Sequence, residues 1–186
     1  MSGSIMIVGV GGQGTLLTSR ILGHTLLSRG WDVKVSEVHG MSQRGGSVVT
    51  YVRYGDQVAS PLIGEGGADI ILAFEQMEAL RALPYLKEGG LMLVSTARIA
   101  PMPVITGAAS YPDDLLGRLP ANAVAVDAAE LARQAGSPRC ANVVLIGLLA
   151  RHMDIPPDAW REAIAAIVPE RFRELNLRAF ELGSSV

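Results

Sequence analysis

Ile5-Met6-Ile7-Val8-Gly9-Val10-Gly11-Gly12-Gln13-Gly14 is an apolar run that ends in a glycine-rich turn, and a helix-patterned segment follows it directly. With glycine at four of the last six positions, the Cβ atoms that would hold a phosphate or a neighbouring backbone away are missing, and positive φ is allowed. The amides that open the next helix point outward at the positive end of its dipole, so strand, G-x-G-x-x-G turn and helix together form an anion cradle. The same glycines also suit a tight turn that packs and binds nothing.

Outward from this unit, short β-branched runs alternate with segments of helical period, the pattern of a mainly parallel sheet covered on both faces. Strands are expected at 4–10, 32–38, 47–54, 69–74, 91–95 and 123–126, and a weaker edge strand near Val104-Ile105 that Pro101 and Pro103 interrupt. Helices are expected at 15–29, 75–86, 143–153, 158–168 and 170–182. In the first of these, Leu16, Ile21, Leu22, Leu26 and Leu27 should share the core face, with Gly30 as the stop. The fold class is therefore α/β: a three-layer, mainly parallel Rossmann-like sheet with helices on both faces and a helical C-terminal segment, in a single domain over residues 1–186. Gly64-Glu65-Gly66-Gly67 reads as the most mobile loop of the body.

Composition limits what such a domain does. With 49% hydrophobic residues in 186, one good core is affordable and a second is not. A net charge of -2 argues against a broad surface for nucleic acid or an anionic membrane. No leading basic segment with an apolar core and no bilayer-length apolar run is present, so a cytoplasmic chain is expected. Cys140 is the lone cysteine, which excludes an internal disulfide, a self-contained iron-sulfur cluster and a cysteine-rich zinc site; no metal ligands are expected here.

A second loop follows the 32–38 strand: His39-Gly40-Met41-Ser42-Gln43-Arg44-Gly45-Gly46. Loops that leave the carboxyl ends of parallel strands line the ligand crevice, so this one and the glycine turn should form one surface. Arg44 offers a five-donor fork for carboxylate or phosphate, Ser42 and Gln43 add neutral hydrogen bonds, Met41 adds a deformable apolar contact, and Gly45-Gly46 allow close approach. A solvated loop whose arginine pairs with Glu37 or Glu75 is the plainer reading. Glu37 ends its strand about where dinucleotide-binding folds keep an acid for the ribose hydroxyls, but the element that follows reads as a strand where a crossover helix is usual. His39 either handles a proton or caps the strand end. Glu75 either faces the crevice or sits in a first helical turn. His24, His152 and Cys140 read as packing or surface residues.

Gly9 to Gly14, Glu37 to Gly46 and Ala73-Phe74-Glu75, with the tail Val168-Pro169-Glu170-Arg171-Phe172 and Glu174 to Gly183, resemble the gamma-type domain of 2-oxoacid (pyruvate or ketoisovalerate):ferredoxin oxidoreductases. The His-Gly-Met-Ser-Gln-Arg-Gly-Gly loop points to the indolepyruvate, or aryl-pyruvate, branch. The resemblance implies an oxidoreductase subunit that is inactive alone. Its larger alpha-type partner would carry thiamine diphosphate and iron-sulfur clusters, coenzyme A would receive the acyl group, and ferredoxin would take the electrons through the complex. This chain lacks a Gly-Asp-Gly followed by an Asn-rich thiamine pattern. Its implied role is to close one side of the active-site entrance, with Arg44 and the amides of Gly11 to Gly14 holding coenzyme A phosphates or the oxoacid carboxylate. The candidate ligand or interface residues are Gly9, Gly11, Gly12, Gln13, Gly14, Glu37, His39, Gly40, Met41, Ser42, Gln43, Arg44, Gly45, Gly46 and Glu75. Two further expectations are a homodimer when the chain is isolated and, as the alternative function, a free-standing dinucleotide-binding module.

Overall fold

The computed structural model describes residues 2–40 and 45–186. Among them β1 (Gly3–Val10), β2 (Asp32–His39), β3 (Ser47–Gly55), β4 (Ala68–Ala73), β5 (Leu86–Ser95) and β6 (Val124–Val126) form one sheet in the order β2-β3-β1-β4-β5-β6. The β1/β4, β4/β5 and β5/β6 ladders are parallel, whereas β3 runs antiparallel to both β1 and β2. Only β3 opposes the common direction, so the sheet is mixed, and the mainly parallel expectation holds for the remaining strands. The cause is local. Residues 40–46 are too few for a crossover helix, so β3 must fold back on β2, and it then takes the place beside β1.

β1 is central and buried from Ile5 to Val10, and the pleat sends alternate side chains to opposite cores. Ile5 and Ile7, with Leu72 and Leu93, meet the larger core. That core is completed by α1 (Thr15–Ser28), α4 (Ala128–Ala135), α5 (Ala141–Arg151), α6 (Pro157–Ile167) and α7 (Glu170–Ser184). Met6 and Val8, with Ile71, Ala73, Met92 and Val94, pack on Ala79 and Ala82 of α2 (Gln76–Ala82). The two helical layers are therefore unequal in depth.

Several expectations are corrected. Leu16 and Leu27 are 48% and 60% exposed; the buried stripe of α1 is Thr18, Ile21, Leu22, Thr25 and Leu26, because steps of about 100° per residue carry the two leucines off that face. α2 stops at Ala82 and continues as a 3-10 turn, Leu83–Tyr85, around Pro84. β5 already starts at Leu86, so Gly89-Gly90 lie inside it; Gly89 has φ 73°, and the β4/β5 register shifts between Ala68 and Ile70. Val104-Ile105 is not a strand. Residues Met102–Ile105 form the short helix α3, since prolines in a first turn lose no helical hydrogen bond there. The unexpected α4 starts on a capping sequence, where the Asp127 carboxylate accepts from Glu130 N at 2.8 Å, and it ends at Gly136 with φ 118°. Gly66 N and Gly67 N of the 64–67 loop donate to Pro84 O and Gly64 O. No helix among the described residues is long and apolar enough to cross a membrane.

Candidate functional site

The glycine turn leaves β1 with Gly12 and Gly14 at φ 101° and 86°, left-handed values that favour glycine. Gln13 fastens it from within: its Oε1 accepts Val10 N at 2.7 Å and its Nε2 donates to Phe74 O at 2.9 Å, joining the ends of β1 and β4. Gly9 serves this latch, because a Cβ there would stand 3.0 Å from both Gln13 Oε1 and Phe74 Cβ. Gly14 is the N-cap of α1. No side chain caps that end and no acid occupies the first turn, so its leading amides suit an external acceptor.

The second loop returns onto this turn. Gly11 N donates to Gly46 O at 2.8 Å and Gly45 N to Gly11 O at 3.4 Å, continuing the β1/β3 ladder beyond its Val10–Ser47 pair. Thus Gly11, Gly45 and Gly46 meet, with Gly45 at φ 76°. Met41, Ser42, Gln43 and Arg44 lie outside the described residues. Beneath the loop, Glu78 is 5% exposed, accepts from Ser47 Oγ and pairs with Arg81, which ties α2 to the start of β3.

Two hollows flank the turn, and Gly12 borders both. One, of about 490 Å³, lies toward β2 and includes Gly11, Gly14, Thr15, Glu37 and His39. Glu37 accepts from Thr50 Oγ1 at 3.2 Å, and His39 Nδ1 lies 3.2 Å from its neighbour's carbonyl at Gly40. The other, of about 340 Å³, lies over the ends of β4 and β5 and includes Phe74, Ser95, Ala97 and Arg139. Arg139 makes no ion pair among the described residues. It is a cation the sequence reading missed, and no local pattern marks it: the topology alone carries residue 139 to the glycine turn.

Glu75 does not offer its carboxylate to this crevice. It is 1% exposed and caps α2, its Oε2 accepting from Met77 N at 2.7 Å and Glu78 N at 3.1 Å. Its Oε1 accepts from Ile99 N at 3.1 Å and from the Tyr111 hydroxyl, fixing the long connection between β5 and β6. Burial first, and the adjacent Glu75 carboxylate second, push the Tyr111 phenol well above its usual range, so it stays a donor. Arg98 stacks over the same ring at 4.5 Å.

Burial also shifts two further side chains toward their neutral forms. Burial pushes the Cys140 thiol up, away from nucleophilic behaviour. Burial, helped by Arg151, lowers His152 and favours its neutral form. No group of three or more metal-ligating side chains occurs among the described residues.

Residues 4–186 match the family described as pyruvate ferredoxin/flavodoxin oxidoreductase. Indolepyruvate oxidoreductase subunit IorB of Thermococcus kodakarensis is 44% identical, over 97% of this chain and 93% of that protein. The subunit of the same name from Archaeoglobus fulgidus is 41% identical, over 97% and 92%. In three dimensions, the crystal structure of the keto/oxoacid ferredoxin oxidoreductase gamma subunit from Geobacter sulfurreducens PCA superposes with a TM-score of 0.76 at 27% identity, covering 98% of this chain and 96% of that one.

Proposed function

The chain belongs to the pyruvate ferredoxin/flavodoxin oxidoreductase family, and from that membership we propose that it is the small subunit of an indolepyruvate-type 2-oxoacid:ferredoxin oxidoreductase. In this reading a larger alpha-type partner holds thiamine diphosphate and the iron-sulfur clusters. The oxoacid loses carbon dioxide, its acyl carbon is oxidised and joins the coenzyme A thiol, and the two electrons leave to ferredoxin. This chain does not itself fit those redox groups: a cluster needs several thiolates, and Cys140 is single and 4% exposed. Its own work is recognition at the partner's entrance, in the cytoplasm.

The observation that carries the site assignment is the Gly11 N to Gly46 O bond, which joins the two glycine-flanked loops at one rim of the sheet. There the uncapped start of α1 and the Arg44 fork would together receive a coenzyme A phosphate group or the oxoacid carboxylate. Glu37, on the opposite wall, would repel such a group and accept a hydroxyl or amine in its place.

Free-standing dinucleotide binding is less well supported. Because β3 lies between β1 and β2, Glu37 stands one strand further from the glycine turn than the ribose-binding acid of that fold.

Reconstitution tests the reading. The chain alone should show no 2-oxoacid oxidation, and adding the cysteine-rich partner should restore ferredoxin reduction with aryl pyruvates. Saturable dinucleotide binding by the isolated chain, with no activity in the mixture, would replace this function with the free-standing module.

A further inference from the structure

β2 is the outer strand of the sheet, and its open side is neither short nor blunted. It runs for 8 residues, keeps one regular register with β3 throughout, and contains no proline. Edge strands are ordinarily shortened, bulged, covered or interrupted, because a long flat edge is a template for another chain. The opposite edge obeys that rule, since β6 has only 3 residues.

The ladder fixes which groups the open side presents. Gly11 N donates to Gly46 O, so by the alternation of antiparallel pairs the even-numbered residues of β3 bond β1 and the odd-numbered ones bond β2. Those odd-numbered residues face Asp32, Lys34, Ser36 and Val38, and the N–H and C=O groups of Val33, Val35, Glu37 and His39 therefore point away from the sheet. Exposed apolar side chains gather at the same edge. Of the nine large ones among the described residues, Val35 and Val38 lie on β2, and Leu16 and Leu27 lie on one flank of α1, about three turns apart. Leu16 borders the same hollow as Glu37 and His39, which puts that flank beside β2.

We propose that this edge pairs with the same edge of a second copy, joining the two sheets into one across a two-fold axis at Ser36. Such an axis sets residues of like parity opposite each other, and one register uses every outward-facing residue: Val33 bonds His39 of the second copy, and Val35 bonds its Glu37. In that register Lys34 lies opposite Val38, where its methylenes cover the valine, and no two like charges are directly opposed. A shift of two residues one way opposes Glu37 to its own mate, and the other way drops His39 from the ladder. Charge and hydrogen bonding thus select the same arrangement. The second copy's Val33 then stands beside His39 and extends the wall of the hollow there. This pairing is independent of what the glycine turn binds.

Sedimentation of the full chain and cysteine crosslinking test this. The chain should be a dimer at micromolar concentration. Val35→Pro removes an outward N–H that the β2/β3 ladder does not use, so the circular dichroism spectrum should persist. Association should weaken about hundredfold or more, from a hydrogen bond lost in each copy and the clash of the ring. Ser36→Cys would meet its mate on the axis in a non-hydrogen-bonded pair, and mild oxidation should give a disulfide-linked dimer. Lys34→Cys and Val38→Cys should each stay unlinked alone and link when mixed. Cys140 is buried, so the unmodified chain gives the background, and the crosslinks do not require the proline variant to fold. A monomer at those concentrations, a dimer indifferent to Val35→Pro, Ser36→Cys linking no faster than the unmodified chain, or linkage of Lys34→Cys alone would each overturn the proposed pairing.

Discussion

Gly183→Val is expected to prevent the chain from reaching its folded state. α5 and α7 cross backbone to backbone, through a glycine on each helix. A Cβ on Gly183 would overlap the Val144 carbonyl and stand 2.8 Å from its carbon, and a Cβ on Gly147 would meet the Phe180 carbonyl and Ser184 N. The obstacles are main-chain atoms held in two helices, so no rotamer change relieves the overlap, and the helices must separate in the region that holds Val143, Val144 and Phe180 in the larger core. Overpacking costs typically about 1–3 kcal/mol, and here it should exceed that range for Val and reach about 3 kcal/mol for Ala. Against a total stability of about 5–15 kcal/mol, the valine variant should be insoluble or lack a cooperative urea transition, and Gly183→Ala should unfold at a clearly lower midpoint. Gly23→Ala is the matched control. Its Cβ meets nothing within 4 Å inside α1, so helix propensity should raise stability by about 0.5–1 kcal/mol.

Gly14→Val should have the second largest effect, and at the site as well as on the fold. Its φ of 86° lies where a β-branched residue is a true outlier, and the new Cβ would stand 2.8 Å from Asn142 Nδ2. The backbone strain alone is worth about 1–3 kcal/mol, and either way of relieving it rotates the leading amides of α1. The expected result is a lowered urea midpoint together with a raised Michaelis constant for coenzyme A in the reconstituted enzyme. Gly12→Ala also places a side chain at positive φ, 101°, but in open space, so it should show the strain without the clash and lose less of both.

The parts of this molecule that could be read from the chain are those whose signals are local. Ile5 to Val10 reads as a buried strand because apolar residues fill both faces, and Gly12 and Gly14 read as a special turn because their φ values require it. Pro157 and Glu170 open helices much where helix-start chemistry puts them. The losses are of two kinds. Some are local ambiguities: two prolines that interrupt a strand also suit a first helical turn, as at α3, and the Ala128, Ala132 and Ala135 stripe of α4 is weakly apolar although its Asp127 cap was present to be seen. The others are non-local. The insertion of β3 beside β1 is decided by strand pairing, and it brings Gly46 to Gly11. Arg139 and Asn142 belong to the surroundings of the turn only because α5 packs there. Glu75 illustrates both kinds, since a first-turn cap is a local role, while its contacts with Ile99 and Tyr111 come from a distant loop and leave it nothing to offer a ligand.

In the proposed function the glycine turn and the loop after β2 act as one receiver for a negatively charged group. Steady-state kinetics of the reconstituted complex with Arg44→Ala test it most directly. Losing a charge-assisted contact should raise the Michaelis constant for coenzyme A or for the oxoacid about tenfold or more, with the midpoint of urea unfolding unchanged. Kinetics identical to those of the unmodified complex for both substrates would contradict it.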